Sequence, residues 1–233
     1  MSSPKRAIID LTHPLVPAGV PACPGHPIYN AELISSLSAG AFANVHALSL
    51  GSHTGTHLDA PYHFFMDGAP IHALDLELLA AAPALVVDLR AKPAHAPITW
   101  ADLTPHAHAM RSGVALLLCT GWSRFYGQEN YSDHPWLEPD AARRVLEMGV
   151  RVIGMDALSP DEWAAGVDTG MVHRIVLGSG GVIVENLCGL GRLVESGWER
   201  PLVSLLPLNL QGCDGSPIRA VAWEGKEESG SSV

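Results

Sequence analysis

Apolar runs of buried-strand length recur along the chain between breaks of Gly, Pro or charge, and the clearest are Leu85-Val-Val-Asp-Leu89, Val114-Ala-Leu-Leu-Leu118, Val150-Arg-Val-Ile-Gly154 and Gly181-Val-Ile-Val184. Strands covered on both faces show near-continuous apolar runs rather than alternation, so these segments predict a strand-rich core. Helical signals are fewer. Pro139-Asp-Ala-Ala-Arg-Arg-Val-Leu-Glu-Met148 has proline at its start and Gly149 just past its end, the asymmetry of helix termini. The stretch from Ile71 to Ala82 predicts a second helix, stopped by Pro83. Thr99 to Leu103 opens a third, with the capping-box spacing Thr99 to Asp102 and Asp in place of the usual Glu. No repeat or interior linker interrupts the pattern, and only residues 224–233 have the small, charged composition of a loose tail. The pattern predicts one mixed α/β domain over residues 1–223, followed by a flexible tail over 224–233.

Composition narrows the partners. A chain of 233 residues, 47% apolar and only 16% charged, can bury a sizeable core. Its net charge is -10 and its fourteen Lys and Arg are scattered, which argues against nucleic acid and against anionic membrane surfaces. Asp10 arrives before any apolar stretch of signal-peptide length, and no run approaches the ~20 residues of a membrane helix, so a soluble cytoplasmic protein is expected. Cys23, Cys119, Cys188 and Cys213 form no CxxC pair, and reduced thiols are expected.

The densest chemistry lies in His53-Thr-Gly-Thr-His57-Leu-Asp59-Ala-Pro-Tyr-His63, which holds three of the twelve histidines and a carboxylate. In an extended chain alternate side chains share a face, so the odd-numbered His53, His57, Asp59 and His63 can project together. Gly55, the flanking threonines and Pro61 oppose the helix that would pair His53 with His57 at i, i+4. Gly55 would also allow close backbone approach to an ion, and Pro61 would stiffen the chain before His63. Imidazole and carboxylate suit Zn²⁺ or Mn²⁺, and two His plus one Asp leave positions open for water and substrate. The plainer alternative is a set of hydrogen-bonded histidines at a surface turn. That alternative serves for one histidine better than for a cluster.

A second half-site runs from His173 to Glu185. Gly178-Ser-Gly-Gly181 between two apolar runs marks a reversal. Two geometries fit: a helix capped at Gly178 turning back into a strand that ends at Glu185, or a tight hairpin centred on Ser179. A lone Glu at a strand's exit is also common without any functional role.

These residues make the chain resemble the cyclase-like metal hydrolases, a family that includes bacterial kynurenine formamidase and isatin hydrolase. The family pattern HxGTHxDxPxH stands intact from His53 to His63. Further landmarks are Asp10-Leu-Thr, Pro24-Gly25, Thr120-Gly-Trp122, the His173 to Glu185 segment, Asp214-Gly-Ser-Pro217 and Arg219-Ala220. The resemblance implies a swivelling β/β/α domain, a barrel-like sheet with outer helices, assembled as a homodimer or larger homo-oligomer. It implies that His53, His57 and Asp59 hold one metal and Asp59, His173 and Glu185 a second, for one or two ions per chain. It makes His63 the proton donor and acceptor. Kynurenine formamidases commonly carry an aromatic residue before the first-loop Pro-Gly, where this chain has Ala22-Cys23-Pro24-Gly25-His26. Cys23 and His26 are therefore the expected substrate contacts there. Asp156-Ala-Leu-Ser-Pro-Asp161 also departs from the family form, a change expected at the pocket wall.

The fitting chemistry is hydrolysis of a small amide, lactam, lactone or ester, with a cation polarising the carbonyl and drawing the pKa of water from ~15.7 towards ~7. Histidine carries protons near neutral pH, the part expected of His63. No GxSxG supports a serine nucleophile, and Cys119 and Cys188 sit in apolar runs as core thiols do. A non-catalytic metal or small-molecule binding module is the alternative from another class. An extra proton carrier beside the ligands argues against it.

Overall fold

The computed structural model describes residues 7–19, 25–164 and 167–226. Nine strands form one strongly curled, half-barrel sheet. In spatial order they are β1 (Ile8–Asp10), β15 (Val221–Glu224), β13 (Pro201–Ser204), β5 (Ala82–Asp88), β7 (Ala115–Cys119), β9 (Val152–Met155), β12 (Val182–Glu185), β4 (His57–Asp59) and β14 (Gly215–Pro217). Three two-stranded pieces complete the strands: β2 (Asn30–Ser35) with β3 (Val45–Ser49), β6 (Pro97–Ile98) with β8 (Trp136–Leu137), and β10 (Trp163–Ala164) with β11 (Val167–Asp168).

The centre of the sheet is parallel, β5 to β7 to β9 to β12, and contains the four apolar runs that predict strands. Both faces are covered. In β7, Leu116 and Leu118 enter one core while Ala115, Leu117 and Cys119 enter the other. Helices α2 (Pro139–Glu147) and α3 (Met171–Gly178) pack on the first face through Ala142, Val145, Val172 and Val176. Helix α4 (Leu190–Glu195) covers the second through Leu190 and Leu193. This is the expected α/β class, with a barrel-like core and helices outside.

Pro139 starts α2 and Gly149, at φ +94°, follows it, as the termini predict. Thr99 and Asp102 close a capping box on α1 (Trp100–Leu103), where the Thr99 N–H donates to Asp102 Oδ2 at 2.7 Å. The helix expected from Ile71 to Ala82 is absent. Two 3₁₀ turns, Ile71–Ala73 and Leu76–Leu78, replace it, and Ala82 opens β5. The backbone bonds outward instead: Ile71 N–H donates to the Cys213 carbonyl at 2.8 Å, and the Leu79 carbonyl accepts from Leu205 N–H at 2.9 Å. Asp75 caps the second turn through Glu77 N–H, and Ala81 takes φ +54°, so no helix runs through.

Cys119, Cys188 and Cys213 are free thiols. Among the described residues no helix is long and apolar enough to cross a membrane. Glu224 closes β15 rather than starting a tail, and residues 227–233 lie outside the described residues.

Candidate active site

Strand β4 lies between β12 and β14, and its alternation aims His57 and Asp59 together while Leu58 points into the core. Register then sets the second half-site, because Glu185 pairs opposite His57 across the antiparallel β12–β4 ladder. The full extended run from His53 to His63 is not what forms. Only residues 57–59 are strand. His63 ends a 3₁₀ turn begun by Pro61, and His53 precedes a turn in which Gly55 takes φ +64°. Gly55 serves that turn rather than close approach to an ion: a Cβ there would meet Leu15 Cδ2 at 2.4 Å, and its carbonyl accepts from His57 Nδ1 at 2.8 Å. Of the two geometries for the later half-site, the helix forms: α3 carries His173, and the chain turns through Gly180 (φ +75°) into β12.

The cluster is buried, with His53, His57, Asp59, His173 and Glu185 all at 8% exposure or less. His57 Nε2 lies 3.3 Å from Asp59 Oδ1 and 3.3 Å from Glu185 Oε2. His173 Nε2 lies 3.4 Å from Asp59 Oδ2 and 3.3 Å from Glu185 Oε1. His53 Nδ1 is closer to Asp59 Oδ1, at 2.7 Å. Donors sharing a tetrahedral cation at ~2.0–2.2 Å sit roughly 3.3–3.6 Å apart, so most of these separations are those of ligand atoms around ions. Three donor groups converge among the described residues: two fully buried, His53 with His57 and Asp59, and Asp59 with His173 and Glu185, and a less buried one of His53 with His63 and Asp214. Asp59 Oδ2 and Glu185 Oε1 are buried and accept no hydrogen bond from any described residue. An uncompensated buried carboxylate oxygen is costly, and a cation between the two would satisfy both. The residues fit a divalent metal.

Each imidazole has its other nitrogen held, the arrangement that fixes the tautomer of a ligand. The Gly55 carbonyl holds His57 Nδ1. Asp161 Oδ2 lies 2.7 Å from His173 Nδ1, while the same carboxylate accepts from Val172 N–H at 2.6 Å and His173 N–H at 3.0 Å, tying down the start of α3. Asp214 Oδ2 lies 2.8 Å from His53 Nε2 and 3.1 Å from His63 Nδ1. Sequence reading gives Asp161 and Asp214 no role, although both stand in segments it singles out. Gly215 follows because a Cβ there would lie 2.8 Å from His53 Cε1.

The electrostatics follow from this crowding. Burial disfavours a charged His53, but contacts with Asp214 and Asp59 outweigh it and raise the imidazole to about 9. Burial likewise opposes a charged His57, and Asp59 and Glu185 lift it to about 10. His173 is raised well above the usual range against its burial, through Asp161, Asp59 and Glu185. Burial pushes Asp59 up, and the facing His57, His173 and His53 bring it well below the ordinary carboxylate range. His53 and His63 draw the Asp214 carboxyl far down. The site is a nest of positive and negative groups that stabilise one another in place.

The cluster opens into a cavity of about 290 Å³, whose wall includes His26, His63, Phe64, Leu158, Trp163 and Arg174. The His26 ring lies 5.8 Å from that of His53, so it reaches the site; Cys23 lies outside the described residues. A larger cavity of about 450 Å³ beside Phe65, Leu78 and Gly180 contains no histidine.

Comparison with known proteins identifies the family. Residues 9–162 match the family model described as putative cyclase. The chain is 30% identical over 220 residues to a kynurenine formamidase of Delftia acidovorans, covering 93% of this chain and 97% of that one. It is 32% identical over 218 residues to a kynurenine formamidase of Bacillus mycoides, covering 91% and 95%. Among solved structures, isatin hydrolase A from Ralstonia solanacearum superposes with a TM-score of 0.82 at 24% identity, covering 94% of this chain and 92% of that one. The chain belongs to the cyclase-like family of metal-dependent hydrolases.

Proposed function

We propose that this protein hydrolyses a small amide, lactam or lactone, acting on carbon–nitrogen bonds outside peptides, with one or two divalent cations held around Asp59. The observation that carries the reading is the pair of orphaned buried oxygens, Asp59 Oδ2 and Glu185 Oε1, that face His173 Nε2 at 3.4 and 3.3 Å. His53, His57 and Asp59 would hold one ion, and Asp59, His173 and Glu185 the other. Nitrogen and oxygen donors without thiolate suit Zn²⁺ and Mn²⁺ alike. A bound cation supplies Lewis acidity, polarising the carbonyl and bringing the pKa of water towards ~7.

The chain's own residues do the rest. His63 faces the cavity with Nδ1 against Asp214, which keeps a proton on that nitrogen and leaves Nε2 free. Nε2 takes the proton of the attacking water and returns it to the leaving nitrogen or oxygen, a transfer typically worth ~10²–10⁴-fold. Phe64, Leu158 and Trp163 offer apolar surface to a flat substrate. The volume stands near the lower end of the ~300–1,000 Å³ usual for small-molecule sites, which favours a compact substrate. The names of the relatives point to formamides and cyclic amides. A purely binding module would not need a proton carrier beside the two buried donor sets.

The reading includes self-association. Among the described residues β2 and β3 pair only with each other, and Leu33, Ile34, Leu37, Phe42, Val45 and Leu48 on or beside this ribbon are exposed. A lone two-stranded ribbon is marginal in water, and an apolar one is best explained by a second copy packing on it.

The test is hydrolysis of N-formylkynurenine and isatin by protein stripped of metal and then reloaded with Zn²⁺ or Mn²⁺. Turnover of either substrate that vanishes on stripping and returns on reloading supports the reading. Metal uptake without turnover of any small carbonyl substrate contradicts it.

A further inference from the structure

Arg174 follows the proposed ligand His173 on α3 and stands in the wall of the same cavity, exposed at its surface. Its guanidinium carbon sits 5.3 Å over the ring of Phe64, and that ring stacks on His173 at 4.8 Å and 18°. The guanidinium is thus layered, through one aromatic ring, onto the proposed metal cluster. Three arginines of this acidic chain are engaged with carboxylates, Arg90 with Asp88 and Glu195, Arg143 with Asp140 and Arg219 with Asp10, and none of the three lines this cavity. No ion pair or side-chain hydrogen bond engages Arg174 among the described residues, so its planar fork of donors is open to the cavity. The acid in the described cavity wall is Glu185, whose two oxygens face His57 and His173 inside the proposed metal cluster.

We infer that the cavity mouth holds a carboxylate subsite, and that the preferred substrate is a compact aromatic or cyclic amide bearing a carboxylate, which Arg174 binds while the scissile carbonyl lies over the His53–His173 cluster. The placement of the scissile carbonyl rests on the hydrolase reading, and the carboxylate subsite does not. A fork of guanidinium donors matches the two oxygens of a carboxylate, and a point charge such as lysine matches them less well. Phe64 holds the fork in place beforehand, so little side-chain freedom is lost on binding.

The experiment compares 2-formamidobenzoate with its uncharged counterpart formanilide on metal-loaded wild type, Arg174→Gln and Arg174→Lys. Arg174→Gln raises KM for 2-formamidobenzoate about tenfold, leaves kcat within about twofold and leaves formanilide unchanged, while Arg174→Lys recovers part of the loss. An equal loss on both substrates, or no loss on either, overturns the subsite. If wild type turns over neither compound, the hydrolase reading fails on these substrates, and calorimetry with 2-formamidobenzoate decides the subsite alone. Binding weakened about tenfold in Arg174→Gln supports it, and equal or absent binding in both proteins overturns it.

Discussion

Asp214 touches two histidines with different proposed jobs, and that makes it the most informative single residue after the proposed ligands. Its Oδ2 reaches both His53 Nε2 and His63 Nδ1, so its loss frees the proposed proton carrier to turn over and pick the wrong tautomer. Asp214→Ala is expected to cut kcat about 10–100-fold, the usual cost of removing a carboxylate behind a working histidine, with KM nearly unchanged. His63→Ala is expected to lose ~10²–10⁴-fold in kcat while metal content, measured by mass spectrometry, stays at the wild-type level. A His63→Ala protein that turns over normally would remove His63 from the mechanism. At this scale the sequence is legible where chemistry and backbone period coincide, as in His57-Leu-Asp59, whose alternation aims both donors one way. It is silent on Asp161 and Asp214 because their partners lie 12 and 161 residues away, and no local spacing records that contact.

Two elements set the quality of the site. Helix α3 begins on Asp161, whose buried carboxylate satisfies two backbone N–H groups and the His173 ring at once. Asp161→Ala would leave those donors unpaired, and thermal unfolding should show a loss of roughly 2 kcal/mol or more, with weaker metal retention through a loosened His173. Unchanged stability and metal content would show that His173 is placed by α3 alone. The β2–β3 ribbon carries the second expectation at this scale. Phe42→Asp combined with Leu48→Asp should convert an oligomer to a monomer by light scattering with the fold retained. A wild-type monomer would contradict self-association through the ribbon. Helix and strand signals are readable when termini agree with the interior, as in α2 with its Pro139 and Gly149. They fail from Ile71 to Ala82, where an apolar spacing suitable for a helix is overruled by hydrogen bonds to Cys213 and Leu205 from distant segments.

At the scale of the whole molecule, the order of strands decides where the chemistry gathers. The sequence shows that strands dominate, but it does not show that β4 sits between β12 and β14, and that placement alone brings Glu185 opposite His57. Assembly of so many titratable groups in one core makes stability depend on metal and pH together. Without metal, His53 and His57 are raised to about 9 and about 10 in the folded chain, above the ~6.5 of an unfolded histidine, so the folded state holds their protons more tightly. That contribution is complete below about pH 6.5 and is lost as pH rises through 9 to 10. Metal binding runs the other way, because imidazole must give up its proton to act as ligand. The difference in thermal midpoint between loaded and stripped protein should therefore widen from pH 6 to pH 9. A constant or shrinking difference would contradict metal binding through these histidines.

In the proposed reaction one buried carboxylate, Asp59, joins the metal and the chemistry. The direct measurement is metal content and turnover of Asp59→Ala side by side, with circular dichroism as a check that the variant folds. The expected result is a folded protein that loses bound metal and hydrolysis together, turnover falling at least about a thousandfold. A folded Asp59→Ala protein that keeps its metal and hydrolyses at the wild-type rate would contradict it.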